Sequence, residues 1–159
     1  MTDLKWLKLA LPSPDIERPV LNKIFDLGDC FVATNGQRMH VVKTWDNLGG
    51  SLPGVDLQAK IAYLLDEANY SSVIDIDGLI RFNDPNPRTD GCCRVGEATL
   101  DGNYVSDMQQ GIPTGAQMRF WKTNQSLSPI MFSNEDVTRI AVIMPIKELS
   151  IVAQAGTVA

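Results

Sequence analysis

The sequence predicts a β-rich α+β domain, mostly antiparallel sheet with one or two helices. Three observations carry that expectation. Asn35-Gly36 lies between two runs of strand character, the strongest short-range signature of a hairpin. Between residues 57 and 69, Leu57, Ile61, Leu64, Leu65 and Ala68 recur at helical spacing, so one face of a helix is apolar there. Elsewhere short apolar runs are separated by Gly, Pro, Asp and Asn, the pattern of strands joined by turns.

Taken in order, Leu4 to Leu11 alternates loosely around Lys5 and Lys8 and is expected to be a strand, closed by Pro12 and Pro14. Pro19 to Asp26 suits a helical turn or a strand equally, with Val20, Leu21, Ile24 and Phe25 apolar. In the hairpin, both turn residues are expected at positive φ, with Thr34 opposite Gln37, Val32 opposite Met39, and Cys30 opposite Val41. One face then holds Cys30, Val32, Thr34, Gln37, Met39 and Val41, apolar at its base and polar at its lip. The other holds Phe31, Ala33, Arg38, His40 and Val42.

Asp56 is expected to cap the helix that follows, its carboxylate accepting from an unpaired N–H of the first turn. Ser72–Asp75, Leu79–Asn83 and Cys93–Leu100 read as strands, with Asp77-Gly78 as the first turn and DPNPRTDG as an exposed loop. Residues 103–111 admit a short helix with Tyr104, Val105 and Met108 inward. Ala116–Lys122, Pro129–Ser133 and Arg139–Ile146 are three more strands. Pro145 lacks an N–H, so the last of these ends there or lies at an edge. Residues 148–159 read as a tail.

A chain of 159 residues with 44% hydrophobic content makes one domain with a buried core, or one domain with a half-sized extension. No apolar run approaches the ~18 residues of a membrane span. The N-terminal MTDLKWLKLALPSP, interrupted by Lys8 and ended by prolines, lacks the form of a signal peptide, so a cytoplasmic protein is expected. Three cysteines make no disulfide framework and read as reduced thiols. The net charge of -5 disfavours a chain that coats nucleic acid non-specifically, while leaving room for a local basic surface.

Enzyme chemistry finds little support. Cys30 and His40 fall on opposite hairpin faces, which separates a nucleophile from a base. Asp75, Asp77 and Asp84 read as solvated loop carboxylates. Cys92-Cys93 with a single His gives no zinc spacing, and neither GDCFVATNG nor GGSLPG matches a phosphate-binding loop. No catalytic residue, metal or cofactor is expected.

Four segments in order resemble the bacterial DNA sliding clamp, the processivity subunit of the replicative polymerase. ATNGQRM, residues 33–39, resembles its Ala-Thr-Asp-Gly-His-Arg-Leu segment, with Asn35, Gln37 and Met39 as replacements. LDGNYVSDMQQGIP, residues 100–113, resembles Leu-X-Asp-Gly-X-Phe-Pro-Asp-Tyr…Pro, although Val105 stands where that pattern has Pro. SPIMF resembles a strand of the last clamp domain, and AVIMPI, residues 141–146, the Val-Met-Pro-Met chain end.

This resemblance implies a sliding-clamp type domain over residues 1–147, read either whole or as one and a half repeats, 1–102 and 103–147. It favours a strand at Pro19–Asp26. It also implies a pocket for a linear peptide of roughly Gln-Leu-X-Leu-Phe type, carried by DNA polymerases and clamp-loader-type proteins. Matched residue by residue, that pocket is Thr34, Gln37, Met39, Val142, Met144, Pro145 and Ile146. Clamps are homo-oligomeric rings that hold double-stranded DNA without reading its sequence, through Lys and Arg on phosphates. The candidates for that contact are Arg18, Lys23, Arg38, Lys43 and Lys60. The helix at 57–69 contributes only Lys60, against Asp66 and Glu67, which keeps open an adaptor or decoy that binds such peptides without encircling DNA; an unrelated small enzyme is the other alternative.

Overall fold

An antiparallel sheet separates two apolar layers, and its strands come from both ends of the sequence. The computed structural model describes residues 1–13, 19–71, 74–75, 80–82, 92–113 and 117–146. Within them the elements are α1 (Asp3–Leu9), β1 (Phe25–Asp26), β2 (Phe31–Thr34), β3 (Arg38–Val42), α2 (Val55–Leu65), β4 (Ile74–Asp75) and β5 (Ile80–Phe82). β6 (Cys92–Val95), β7 (Ala98–Asp101), α3 (Gly102–Gln109), β8 (Gln117–Phe120), β9 (Ile130–Ser133) and β10 (Arg139–Ile143) follow. The large sheet has the order β1-β2-β3-β10-β9-β8-β4, and β5-β6-β7 form a smaller one. The fold class is the one expected, α+β with antiparallel pairing.

Alternation along the strands sends successive side chains to opposite layers. On one side Ala33, Val42, Phe132, Ala141 and Ile143 join Trp6 and Leu7 of α1, Val105 and Met108 of α3, and Val95 and Leu100 of the small sheet. On the other, Val32, Met39, Val41, Met131, Ile140 and Val142 meet Leu21, Ile61 and Tyr70. A sheet covered on both faces explains why Arg38 and His40, on the mixed face of the hairpin, are buried.

Several expectations need correction. Leu4 to Leu11 contributes a helix, not a strand. The Thr2 side chain accepts from the Lys5 N–H at 3.3 Å, capping the first turn, and Trp6, Leu7 and Ala10 are buried on one side at helical spacing. Long-range bonds hold this helix in place: Trp6 Nε1 donates to the Met108 carbonyl at 3.1 Å, and Arg139 Nε donates to Asp3 at 2.8 Å. Gly111 lets Trp6 approach, since a Cβ at that position would stand 2.4 Å from Trp6 Cδ1. Pro19 to Asp26 divides into a 3-10 turn at Pro19–Leu21 and the short strand β1.

The hairpin pairs Thr34 with Met39 and Val32 with Val41, two residues out of the expected register. A shift of two preserves the faces. Its turn is longer than two residues, and only Gly36, at φ +91, takes the left-handed conformation. α2 begins after Gly54 without a side-chain cap, so Asp56 lies in its first turn, and it stops at Leu65. The Asp66 side chain then accepts from the Ala68 N–H at 3.0 Å, opening a separate 3-10 turn at Glu67–Asn69. Cys93–Leu100 is a hairpin rather than one strand, turning at Gly96 with φ +59. The helical option at 103–111 is the observed one: Val105 and Met108 are buried in α3, and Asp101 caps it on the Asn103 N–H at 2.8 Å. β10 stops at Ile143, before Pro145, and occupies the middle of the large sheet. The expected Asp77-Gly78 turn, the 84–91 loop and the 148–159 tail lie outside the described residues.

Candidate functional site

The hairpin turn is built by two side chains. Thr34 Oγ1 donates to the Arg38 carbonyl at 2.7 Å and accepts from the Gly36 N–H at 3.0 Å. Asn35 Oδ1 accepts from the N–H groups of Gln37 at 2.9 Å and Arg38 at 3.0 Å. These local bonds replace the ladder where the strands part, as Asn and Thr do in turns. Past the last β3–β10 pair, Ile143↔Arg38, the Met144 N–H donates to the Gln37 carbonyl at 2.9 Å. The chain after β10 is thereby fixed beside the turn.

A groove of about 460 Å³ opens at this junction. Thr34, Gly36 and Met39 line it from the hairpin, and Met144 from beyond β10. Leu57, Ile61 and Leu64 line it from the apolar stripe of α2, flanked by Lys60 and Tyr63, and Val20 and Leu21 add a further wall. Tyr63 and Val20 are exposed, so the apolar surface continues past the groove. Its polar side chains are few: Thr34, Lys60 and Tyr63.

Of the residues expected in a peptide pocket, Thr34, Met39 and Met144 come together. Val142 is buried and pairs with Met39. The Gln37 side chain is exposed, and its carbonyl receives Met144. Pro145 and Ile146 do not line the groove. Ile146 donates its N–H to the Thr99 carbonyl at 2.7 Å, which carries the chain toward β7 instead. The contribution of α2 was not anticipated. Its stripe was legible as a core face, but whether that face is fully covered depends on what packs against it, and periodicity carries no such information.

The residues expected to meet phosphate are scattered. Arg38 is turned inward: its guanidinium pairs with Asp107 at 2.7 Å, donates to the Leu9 carbonyl and lies 4.3 Å from the Tyr104 ring centroid. In this fold it offers nothing to a phosphate outside. Lys60 lines the groove, while Lys23 and Lys43 are exposed. Arg18 lies outside the described residues.

Cys30 and His40 stand in opposite layers with the sheet between them. Burial, reinforced by neighbouring Asp29, pushes the Cys30 thiol up to about 12, far from a reactive thiolate. His40 stacks on Trp6 at 4.1 Å between ring centroids, and its Nδ1–H donates to the Trp6 carbonyl at 2.8 Å. Burial lowers its pKa to about 4, so it is neutral near pH 7. Among the described residues, no helix is long and apolar enough to cross a membrane.

Compared with known proteins, the chain matches no protein-family model and no curated protein. Among solved structures it is similar to that of DNA polymerase III subunit beta from Borrelia burgdorferi in complex with a natural product. The identity is 14% and the TM-score 0.49, over 91% of this chain and 59% of that one. The chain thus spans less than two thirds of that protein's length.

Proposed function

We propose that this protein is a clamp-type tether whose work is to hold a DNA polymerase, or another replication protein such as a clamp loader, by a short linear peptide. One observation supports the reading above all: Thr34 and Met39, from the hairpin, line a single apolar groove with Met144, from the far end of the sequence. The groove suits a peptide carrying two or three large apolar side chains. Met39 and Met144 are unbranched and polarisable, so they adapt to Leu and Phe, while Thr34 and Lys60 can orient the peptide's polar groups. The protein's own contribution is binding and positioning, without bond chemistry.

In the form the clamp resemblance implies, several copies close into a ring on double-stranded DNA. A second reading, an adaptor that takes the same peptides without encircling DNA, is favoured by the inward commitment of Arg38, which leaves fewer cations for phosphate. The mass of the assembly in solution, measured with and without duplex, separates the two. A ring requires an oligomer retained on closed circular DNA, and the adaptor requires neither.

The groove itself is tested by titrating a labelled Gln-Leu-X-Leu-Phe-type peptide against the wild type and Met144→Asp. A carboxylate desolvated by the incoming peptide weakens binding by about tenfold or more. Equal affinity for both proteins removes the groove from this account.

A further inference from the structure

We propose that a second cavity on the α2 side of the large sheet, separate from the peptide groove, binds a small organic carboxylate with a short apolar body. The proposal does not depend on the peptide-binding reading.

The cavity, of about 240 Å³, opens beside Leu65, the last residue of α2, over strands β3, β10, β9 and β8. Strand pairing places Val41, Ile140, Ser133 and Gln117 side by side in one row, with Met131 opposite Arg119 in the next. All six line the cavity, as residues two apart on a strand share a face. The floor is therefore apolar under β3 and β10 and polar toward β8, with Met131 between.

The polar end is short of partners. Arg38 and Arg139 each face a carboxylate, Asp107 at 2.7 Å and Asp3 at 2.8 Å. Arg119, half-buried, has no such counter-ion among the described residues; its Nη1 donates to the Ser71 carbonyl at 3.4 Å. The Ser133 and Gln117 side chains make no hydrogen bond among the described residues, although Ser133 is only 8% exposed. Enclosed polar groups are normally hydrogen-bonded, so these three donors call for an acceptor from outside the chain. A guanidinium fork beside a hydroxyl and an amide is a donor set that suits a carboxylate. Asp29, Lys43 and Glu67 also border the cavity, but all three are exposed, so water screens them more than it screens Arg119.

Size narrows the class further. The volume falls below the ~300–1,000 Å³ of sites for drug-sized ligands, which limits the occupant to a small acid. Its carboxylate meets Arg119, Ser133 and Gln117, and its apolar body lies over Met131, Ile140 and Val41.

Hexanoate is the probe, with hexanol (the body without the charge) and acetate (the charge without the body) as controls. Each is titrated into the full chain while the methyl resonances of Met131, Met39 and Met144 are followed. The expected result is a saturable shift of Met131 with hexanoate, Met39 and Met144 unmoved, and both controls weaker by about tenfold or more. Arg119→Gln is expected to weaken hexanoate binding about tenfold, and Ser133→Ala several-fold, with urea unfolding showing that each variant is folded. Ser133→Ala removes a single oxygen, so it keeps the test available if Arg119→Gln does not fold. Hexanol bound as tightly as hexanoate, or undiminished affinity in a folded variant, overturns the carboxylate site. Shifts confined to Met39 and Met144 overturn it too, because the acid would then sit in the peptide groove, as does no saturation up to concentrations on the order of 10 mM.

Discussion

The N–H of Met144 donates to the carbonyl of Gln37 at 2.9 Å, joining two segments from opposite ends of the sequence. The bond extends the β3–β10 ladder by one step and fixes Met144 relative to the hairpin turn. Groove shape therefore depends on turn chemistry as well as on the side chains that line it.

Asn35→Ala tests that dependence. It removes the oxygen that accepts from the Gln37 and Arg38 N–H groups, and the cost is about 1 kcal/mol of stability. A loosened turn also displaces the carbonyl that holds Met144. Urea unfolding and peptide titration together should show a lower midpoint and a several-fold weaker affinity, whereas an unchanged affinity separates the turn from the groove.

His40 makes stability pH-dependent in one direction. Its pKa is about 4 in the native state against an ordinary 6.5, so below pH 6.5 the unfolded chain takes up a proton that the folded one refuses. Stability from this group is whole above pH 6.5, falls as pH drops, and is lost by about pH 4, a change on the order of 3 kcal/mol. Carboxylates titrate over the same range, so the test is a difference. The urea midpoint of the wild type should fall more steeply between pH 6.5 and 4 than that of His40→Gln.

Asp107→Asn probes the inward arginine. Arg38 keeps its hydrogen bond to the Leu9 carbonyl and its place over Tyr104, but loses its counter-charge. Because Asp107 is partly exposed, the cost is about 1–3 kcal/mol, below that of stranding a fully enclosed ion. Thermal unfolding at low and high salt checks it. A variant as stable as the wild type would show that the pair is held by packing alone.

Much of this architecture was legible where local chemistry decides it. Asn35-Gly36 announced the hairpin, the stripe from Leu57 to Leu65 announced α2, and alternation assigned the two faces of β2 and β3 despite the shifted register. Errors arose where distant partners decide. The spacing of Trp6, Leu7 and Ala10 favours a helix, but its reason for being there is Met108, Arg139 and His40, far along the chain. The register was missed because the turn closes on side-chain oxygens of Thr34 and Asn35 rather than on a two-residue backbone geometry. Arg38 looked like a surface cation because nothing local reveals Asp107 beside it. The resemblance brought Thr34, Met39 and Met144 to one site, but not the wall that α2 gives it.

Photo-crosslinking decides whether a hairpin and a distant chain segment form one receptor for an apolar peptide. A benzophenone replaces the aromatic residue of the labelled peptide, the complex is irradiated, and the attachment sites are read by mass spectrometry. A peptide seated in the groove gives adducts on Met39, Met144 or the groove face of α2, suppressed by excess unlabelled peptide. Competable adducts confined to a surface away from these residues would contradict it.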